Sequence, residues 1–296
     1  MCTSLFLWDQ HPTLLFLLAF NRDEFLARKT EPAQFWLDWP NLLAGRDEER
    51  GGTWLGMTTG GRFAMLTNFR EVAHDAVKHA PSRGALTIDF LKGQSQPLQY
   101  LEGLQAEAYN GFNLIVGDFQ QHKLAYFSNR SGQAPHELSP GLYGISNGVL
   151  ESKWPKVEAG KARLRFLLDQ TTNVQQLDAE TVFQTVMGDT AKVNQNEHLP
   201  QTGMSVEIEQ LMSSIFIEPC ELKVSEQYSD LWYSDKGTQV LLQQQMKQQD
   251  PITMLSSDLW AKVFGVLAEE VRSATNGDDA STKEALSSGQ EIMPSP

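Results

Sequence analysis

The chain has 296 residues, 41% of them hydrophobic, and a net charge of −13, with enough Phe, Trp and Leu to fill the core of one globular unit. That charge, with no dense run of Lys or Arg, argues against a nucleic-acid backbone or an anionic membrane surface as partner. Only two cysteines occur, Cys2 and Cys220, which excludes a disulfide framework and suits a reducing, cytoplasmic setting, and the scattered histidines offer no metal-ligand spacing.

Residues 2–8 are apolar and β-prone, Asp9-Gln10-His11-Pro12 reads as a turn, and 14–20 is an apolar run of strand length. Together they predict a hairpin that begins at the second residue. The run is too short for a signal peptide or a membrane span, and no later stretch reaches the length of a transmembrane segment. A second hairpin is predicted over 53–57 and 62–69, turning at Thr58-Thr59-Gly60-Gly61, where glycine supplies positive φ. Helical spacing follows over 82–92, with Ser82 as its cap. Strands are predicted at 112–119 and 123–128 about Gln120-Gln121-His122, and at 141–146, closed by Asn147-Gly148.

Helical periodicity returns over 153–170, opened by Trp154-Pro155 where the first turn tolerates proline, and again over 179–187 and 206–216. Tight hairpins with helices grouped between them predict an α+β fold of antiparallel sheets covered by helix layers. The segment 274–296 has a Ser/Thr/Glu/Gly composition that cannot bury enough apolar surface to offset ordering. One domain over 1–273 and a disordered tail are therefore expected.

Chemistry concentrates at the amino end. A chain that starts Met-Cys is expected to lose Met1, which leaves a thiol and a free α-amine on one residue. The amine, with an ordinary pKa of about 7.7–8.0, can take the thiol's proton, so Cys2 is a candidate nucleophile rather than only a small buried hydrophobe. Asn21-Arg22-Asp23-Glu24 follows the second apolar run, and in an antiparallel hairpin Arg22 and Asp23 approach Cys2. A guanidinium there favours the thiolate, and a carboxylate holds the amine or the arginine. Asn68 and Asn147 each stand at a predicted strand end, where a side-chain amide can cap a turn or donate to a developing oxyanion.

These segments, with Leu43-Ala44-Gly45-Arg46-Asp47, Gly51-Gly52-Thr53-Trp54-Leu55-Gly56, Leu66-Thr67-Asn68-Phe69-Arg70 and Ser146-Asn147-Gly148 in the same order, resemble the NRDE family of the transport and Golgi organisation 2 type over roughly residues 1–220. That family is similar to choloylglycine hydrolases and penicillin V acylases, which are N-terminal-cysteine amidases with an αββα sandwich. The resemblance implies that fold, Cys2 as nucleophile with its amine as base, Arg22 and Asp23 as site-shaping charges, and Asn68 and Asn147 as oxyanion or amine-orienting groups. No cofactor is implied.

The sequence departs from the pattern at Lys236, where relatives carry arginine, and at Phe25, where the related amidases carry aspartate. Its expected ligand is a small amphipathic, acyl or amide compound cleaved through a Cys2 thioester. The alternatives are carriage of haem or acyl lipids without catalysis, or a scaffold in which Cys2 is structural. For haem, the sequence offers neither Cys-x-x-Cys-His nor a histidine that stands out as an axial ligand.

Overall fold

The computed structural model describes residues 2–12, 14–25, 27–71, 77, 79–171, 177 and 179–218, with the backbone of 220–225, 228–234, 240–245 and 253–256. Expectations for Lys236, for the Cys220 side chain and for the 274–296 tail lie outside these residues.

The chain opens with the hairpin β1 (Cys2–Trp8) and β2 (Leu14–Phe25). β2 runs past the apolar stretch and carries Asn21-Arg22-Asp23-Glu24 within it, rather than leaving them at its mouth. The polar segment can stay extended because its backbone is paired on both sides, with β1 at Asn21 and Arg22 and with a C-terminal strand from Asp23 to Phe25.

Next come β3 (Thr30–Trp36), β4 (Trp39–Asp47), β5 (Leu55–Thr58) and β6 (Arg62–Asn68). The first two escape a search for alternating apolar residues because β3 is a sheet edge, with Glu31, Pro32 and Gln34 along it and an irregular register from Glu31 to Gln34. Helices α1 (Gly84–Lys92) and α2 (Pro97–Glu102) lead to β7 (Phe112–Asp118), β8 (Lys123–Ser128), β9 (His136–Glu137) and β10 (Gly141–Ile145). Ser82 gives α1 no side-chain cap; its carbonyl accepts from the Ala85 N–H at 3.1 Å.

Helix α3 (Pro155–Gln170) starts on proline, and α4 (Ala179–Val182) runs into a π-helical turn, Phe183–Met187. Helix α5 (Val206–Leu211) stops short of the expected 216. There Ser213 and Ser214 donate instead to the Gln210 and Phe216 carbonyls, at 2.7 and 2.8 Å, a local alternative to the helical ladder. The backbone then forms β11 (Cys220–Ser225), β12 (Tyr228–Ser234), β13 (Val240–Gln245) and β14 (Thr253–Ser256).

Two antiparallel sheets result, each of seven strands among the described residues. One runs β10-β1-β2, with β12 and β13 both pairing along the far edge of β2; the other runs β3 to β9 in sequence order. Period-two alternation decides which side chains face which layer. Phe6, Phe16, Leu18 and Phe20 pack against Leu55, Phe63, Met65 and Ile115 of the facing sheet. Leu5, Leu7, Leu17 and Ala19 point the other way, onto Leu164, Leu168, Phe183 and Ile215. On the far side, Leu42, Ala44 and Ala64 pack with Leu86, Phe90 and Leu101 of α1 and α2. The fold is therefore an αββα sandwich. Among the described residues no helix is long and apolar enough to cross a membrane.

Helix α3 lies close on β1 because Gly160 offers no side chain there. A Cβ at that position would stand 2.7 Å from Leu5 Cδ1 and 3.0 Å from Ile215 Cδ1. Gly160→Val should therefore destabilise the protein by about 1–3 kcal/mol through overpacking, a larger effect than the few tenths by which valine exceeds glycine in helix propensity. Urea denaturation reads this as a lowered midpoint at unchanged slope, and an unchanged midpoint would mean that α3 can move off β1 at no cost.

Candidate active site

The β1–β2 register places Arg22 directly opposite Cys2. Both belong to the inter-sheet face, where Cys2 is 8% and Arg22 6% exposed. The Arg22 guanidinium stacks over the Trp54 ring at 4.2 Å, and its Nη2 lies 3.5 Å from Glu24 two residues along the same face. Cys2, Arg22, Asp23 and Asn68 line one pocket of about 230 Å³. The segment ahead of β5 and the start of α1 form its opposite wall. They touch backbone to backbone: a Cβ on Gly52 would lie 2.8 Å from the Gly84 carbonyl, while Gly51 turns the chain with φ of +70°. Thr87 fixes this contact by donating to the Thr53 carbonyl at 2.6 Å.

The lining is strongly polar. Arg22, Arg28, Arg50 and Arg83 face Asp23, Glu24 and Asp47, a local excess of one positive charge (4 − 3) in a chain of net charge −13. Arg28 is already committed, donating to Asp47 at 2.6 Å. Arg83 donates to the Gly111 carbonyl at 2.8 Å, and burial pushes its pKa down. Among the described residues no group of three or more His, Cys, Asp or Glu side chains is placed to hold a metal ion.

Asn68 and Asn147 reach this region in different ways. Asn68, at the end of β6, borders the pocket. Among the described residues its hydrogen bond to Asn147 uses the backbone carbonyl. Asn147 is 1% exposed and lies behind it. Its Nδ2 donates to the Asn68 carbonyl at 2.7 Å and its own carbonyl accepts from the Arg70 N–H at 2.7 Å. Asn147 thus ties the end of β10 to the end of β6, one from each sheet. Ser146 continues the tie by donating to the Cys2 carbonyl at 2.8 Å, and Thr67 donates to the Ser146 carbonyl at 2.9 Å.

Asp23 falls on the other face of β2 from Arg22, the face on which Asn21 donates to the Met187 and Ile215 carbonyls at 2.7 and 3.1 Å. It is completely buried. Arg70, Lys156 and Glu209 are likewise buried, and Arg70 and Glu209 form an ion pair. Sequence reasoning passed over these three, as it did Arg83 and Trp54. Trp54 and Arg70 stand inside the quoted motifs, whereas Lys156 and Glu209 carry no local signal and are assembled by tertiary contact alone.

Burial pushes the Cys2 thiol up to about 11. The amino terminus and Arg22 oppose that rise, and Asp23 and Glu24 add to it.

A family model described as "Transport and Golgi organisation 2" matches residues 1–255. The Transport and Golgi organization protein 2 homolog of Homo sapiens is 40% identical over 173 residues, covering 54% of this chain and 62% of that protein. The Drosophila melanogaster Transport and Golgi organization protein 2 is 28% identical over 177 residues, with the same shares of 54% and 62%. The chain thus spans 62% of the length of these relatives. Among solved structures, the Caenorhabditis elegans N-acylethanolamine-hydrolyzing acid amidase ortholog is similar with a TM-score of 0.41 and 11% identity, over 62% of this chain and 85% of that one. The C2A mutant of the conjugated bile acid hydrolase from Clostridium perfringens is similar with a TM-score of 0.39 and 12% identity, over 87% and 93%.

With Met1 attached, the thiol should be almost wholly protonated at pH 7, at a thiolate fraction on the order of 10⁻⁴. Alkylation by iodoacetamide should then quicken steadily as pH rises toward 11. Chain prepared with methionine aminopeptidase inhibited should react far more slowly at pH 7 than chain lacking Met1. Equal rates by mass spectrometry would show that the adjacent amine does nothing for the thiol.

Proposed function

The chain belongs to the Transport and Golgi organisation 2 family, and from that premise we propose that it is an N-terminal-nucleophile hydrolase that cleaves an amide or related acyl bond through a thioester on Cys2. The observation that carries this function is Cys2 in the lining of a polar pocket, with Arg22 directly across the ladder and Asn68 in the same lining.

Loss of Met1 frees the Cys2 amine, which accepts the thiol's proton. The sulfur then bonds to the substrate carbonyl carbon. Negative charge gathers on the carbonyl oxygen, where the Asn68 amide donates a hydrogen bond, and Arg22 favours negative charge at the sulfur. The carbon–nitrogen bond breaks as the proton held by the amine passes to the leaving nitrogen. Water, deprotonated by the same amine, attacks the thioester and the carbon–sulfur bond breaks. The thiol is regained as the acid departs. Asn147 acts one step back, by fixing the carbonyl end of Asn68.

The size and lining of the described pocket also support a compact polar substrate over haem or a long-chain lipid. At about 230 Å³ it lies below the roughly 300–1,000 Å³ typical of drug-sized ligands, and its wall is mostly polar rather than apolar.

Turnover should be measured on a panel of N-acyl amides and acyl thioesters. Cys2→Ala should abolish it, since the covalent route needs sulfur. Asn68→Ala should lower kcat by about 10²–10³-fold with little change in KM, as for loss of one oxyanion donor. Hydrolysis that survives Cys2→Ala ends this mechanism. Absence of turnover, with haem or acyl-CoA held equally well by wild type and Cys2→Ala, would make the protein a carrier.

A further inference from the structure

Of the four arginines that line the Cys2 pocket, two are matched by acids and two are not. Arg28 pairs with Asp47 at 2.6 Å and with Glu49 at 3.6 Å. Glu24 lies 3.5 Å from Arg22 and 3.9 Å from Arg28. Asp23, the remaining carboxylate of the lining, stands on the other face of β2 from Arg22. Among the described residues Arg50 and Arg83 form no ion pair, although acids outnumber bases 37 to 24 in the chain as a whole.

Local structure does not account for Arg83. It is the N-cap residue of α1, at the positive end of the helix dipole, and no acidic side chain in the first turn offsets it. It donates one hydrogen bond, to the Gly111 carbonyl at 2.8 Å, which leaves most of the donors of a guanidinium unused. Glu71 holds the Gly111 N–H at 2.7 Å, but its carboxylate is already paired with Arg130 at 2.7 Å. Arg50 is exposed, in the turn that precedes Gly51-Gly52, and its side chain forms no hydrogen bond among the described residues. One exposed arginine is ordinary. Two unmatched guanidiniums in the same small pocket as a thiol are suited to recognise an anion, and their planar forks fit a carboxylate.

We propose that Arg50 and Arg83 form the anion-recognising wall of the pocket, so that the compound cleaved is a compact amide carrying a carboxylate within a few bonds of its scissile carbon. The volume of about 230 Å³ sets that short separation, because Cys2 and both arginines share it. The substrate class rests on the hydrolase function, whereas recognition of an anion beside Cys2 does not, and the two can be read separately.

Iodoacetate and iodoacetamide attack the same thiolate and differ in the charge placed next to the reacting carbon. Their rate ratio at Cys2, resolved by mass spectrometry, therefore cancels the thiolate population. At the free thiol of N-acetylcysteine amide the neutral reagent is the faster, since thiolate and carboxylate repel. At Cys2 the ratio of iodoacetate to iodoacetamide should be about tenfold higher than at that free thiol, and should fall toward it at high salt. Arg50→Glu and Arg83→Gln should each lower the ratio by about fivefold. Arg22 is common to every variant and drops out of the comparison. If Arg83→Gln fails to fold, Arg50→Glu, at an exposed side chain without partners, decides alone. A ratio no higher than at the free thiol, or one that the folded variants leave unchanged, overturns the anion site.

Turnover then tests the substrate class. An N-acylglycine carries its carboxylate on the amine side of the scissile bond, and a succinamate carries it on the acyl side. One of the two should exceed its neutral amide analogue by about tenfold in kcat/KM, chiefly through KM, and Arg50→Glu should erase that preference. Neutral analogues cleaved as well as both acids would overturn the substrate class. No cleavage of any of them, with the iodoacetate preference intact, would end the hydrolase function and leave the anion site standing.

Discussion

Everything at the site depends on one backbone register, the pairing of Cys2 with Arg22. A slip of one residue would reverse the faces of the motif, turning Asp23 toward the inter-sheet space and Arg22 toward the helices. Apolar contacts on both sides of the hairpin prevent it. Phe6 and Phe16 lock into one core and Leu5 and Leu17 into the other, and a one-residue shift satisfies neither. The hydrophobic effect, which has no directional preference of its own, thereby fixes a polar constellation at the end of the same two strands.

The alternation that buries the hairpin also divides its charges. Arg22 and Glu24 serve the pocket, Asn21 serves the helix layer, and the buried Asp23 borders the pocket from that second face. The four-residue motif thus touches two environments at once, one open to a ligand and one closed. The closed side holds Arg70, Lys156 and Glu209, groups whose burial is costly unless they compensate one another.

The opening hairpin, the 112–128 hairpin and α3 were legible in the sequence because apolar alternation, turn residues and a first-turn proline all act locally. Their ends were less so. Where β2 stops is decided by a partner more than 200 residues away, and where α5 stops is decided by serine hydroxyls that compete for the backbone. The β3–β4 hairpin was missed because an edge strand may carry proline and exposed polar residues without penalty. At the site, the proximity of Arg22 to Cys2 follows from hairpin geometry alone. The contact of Gly52 with Gly84, the tie from Asn147 to Asn68 and the cluster around Lys156 join segments with no local relation. Periodicity holds no record of such contacts.

The far edge of β2 bears on how the chain is made. β13, which pairs with β2 from Leu14 to Phe20, begins only at Val240. At a translation rate of roughly 5–20 residues per second, a nascent chain therefore carries an uncovered strand edge for roughly 10–45 seconds before its mate leaves the ribosome. That edge belongs to one of the most apolar stretches in the sequence, a ready template for pairing with a neighbouring chain. Ribosome-associated chaperones able to shield extended apolar segments would govern the yield of folded protein. A premature stop anywhere before residue 240 would leave the edge open for good, so such products should be cleared by aggregation and proteolysis even where every residue of the pocket had already been made.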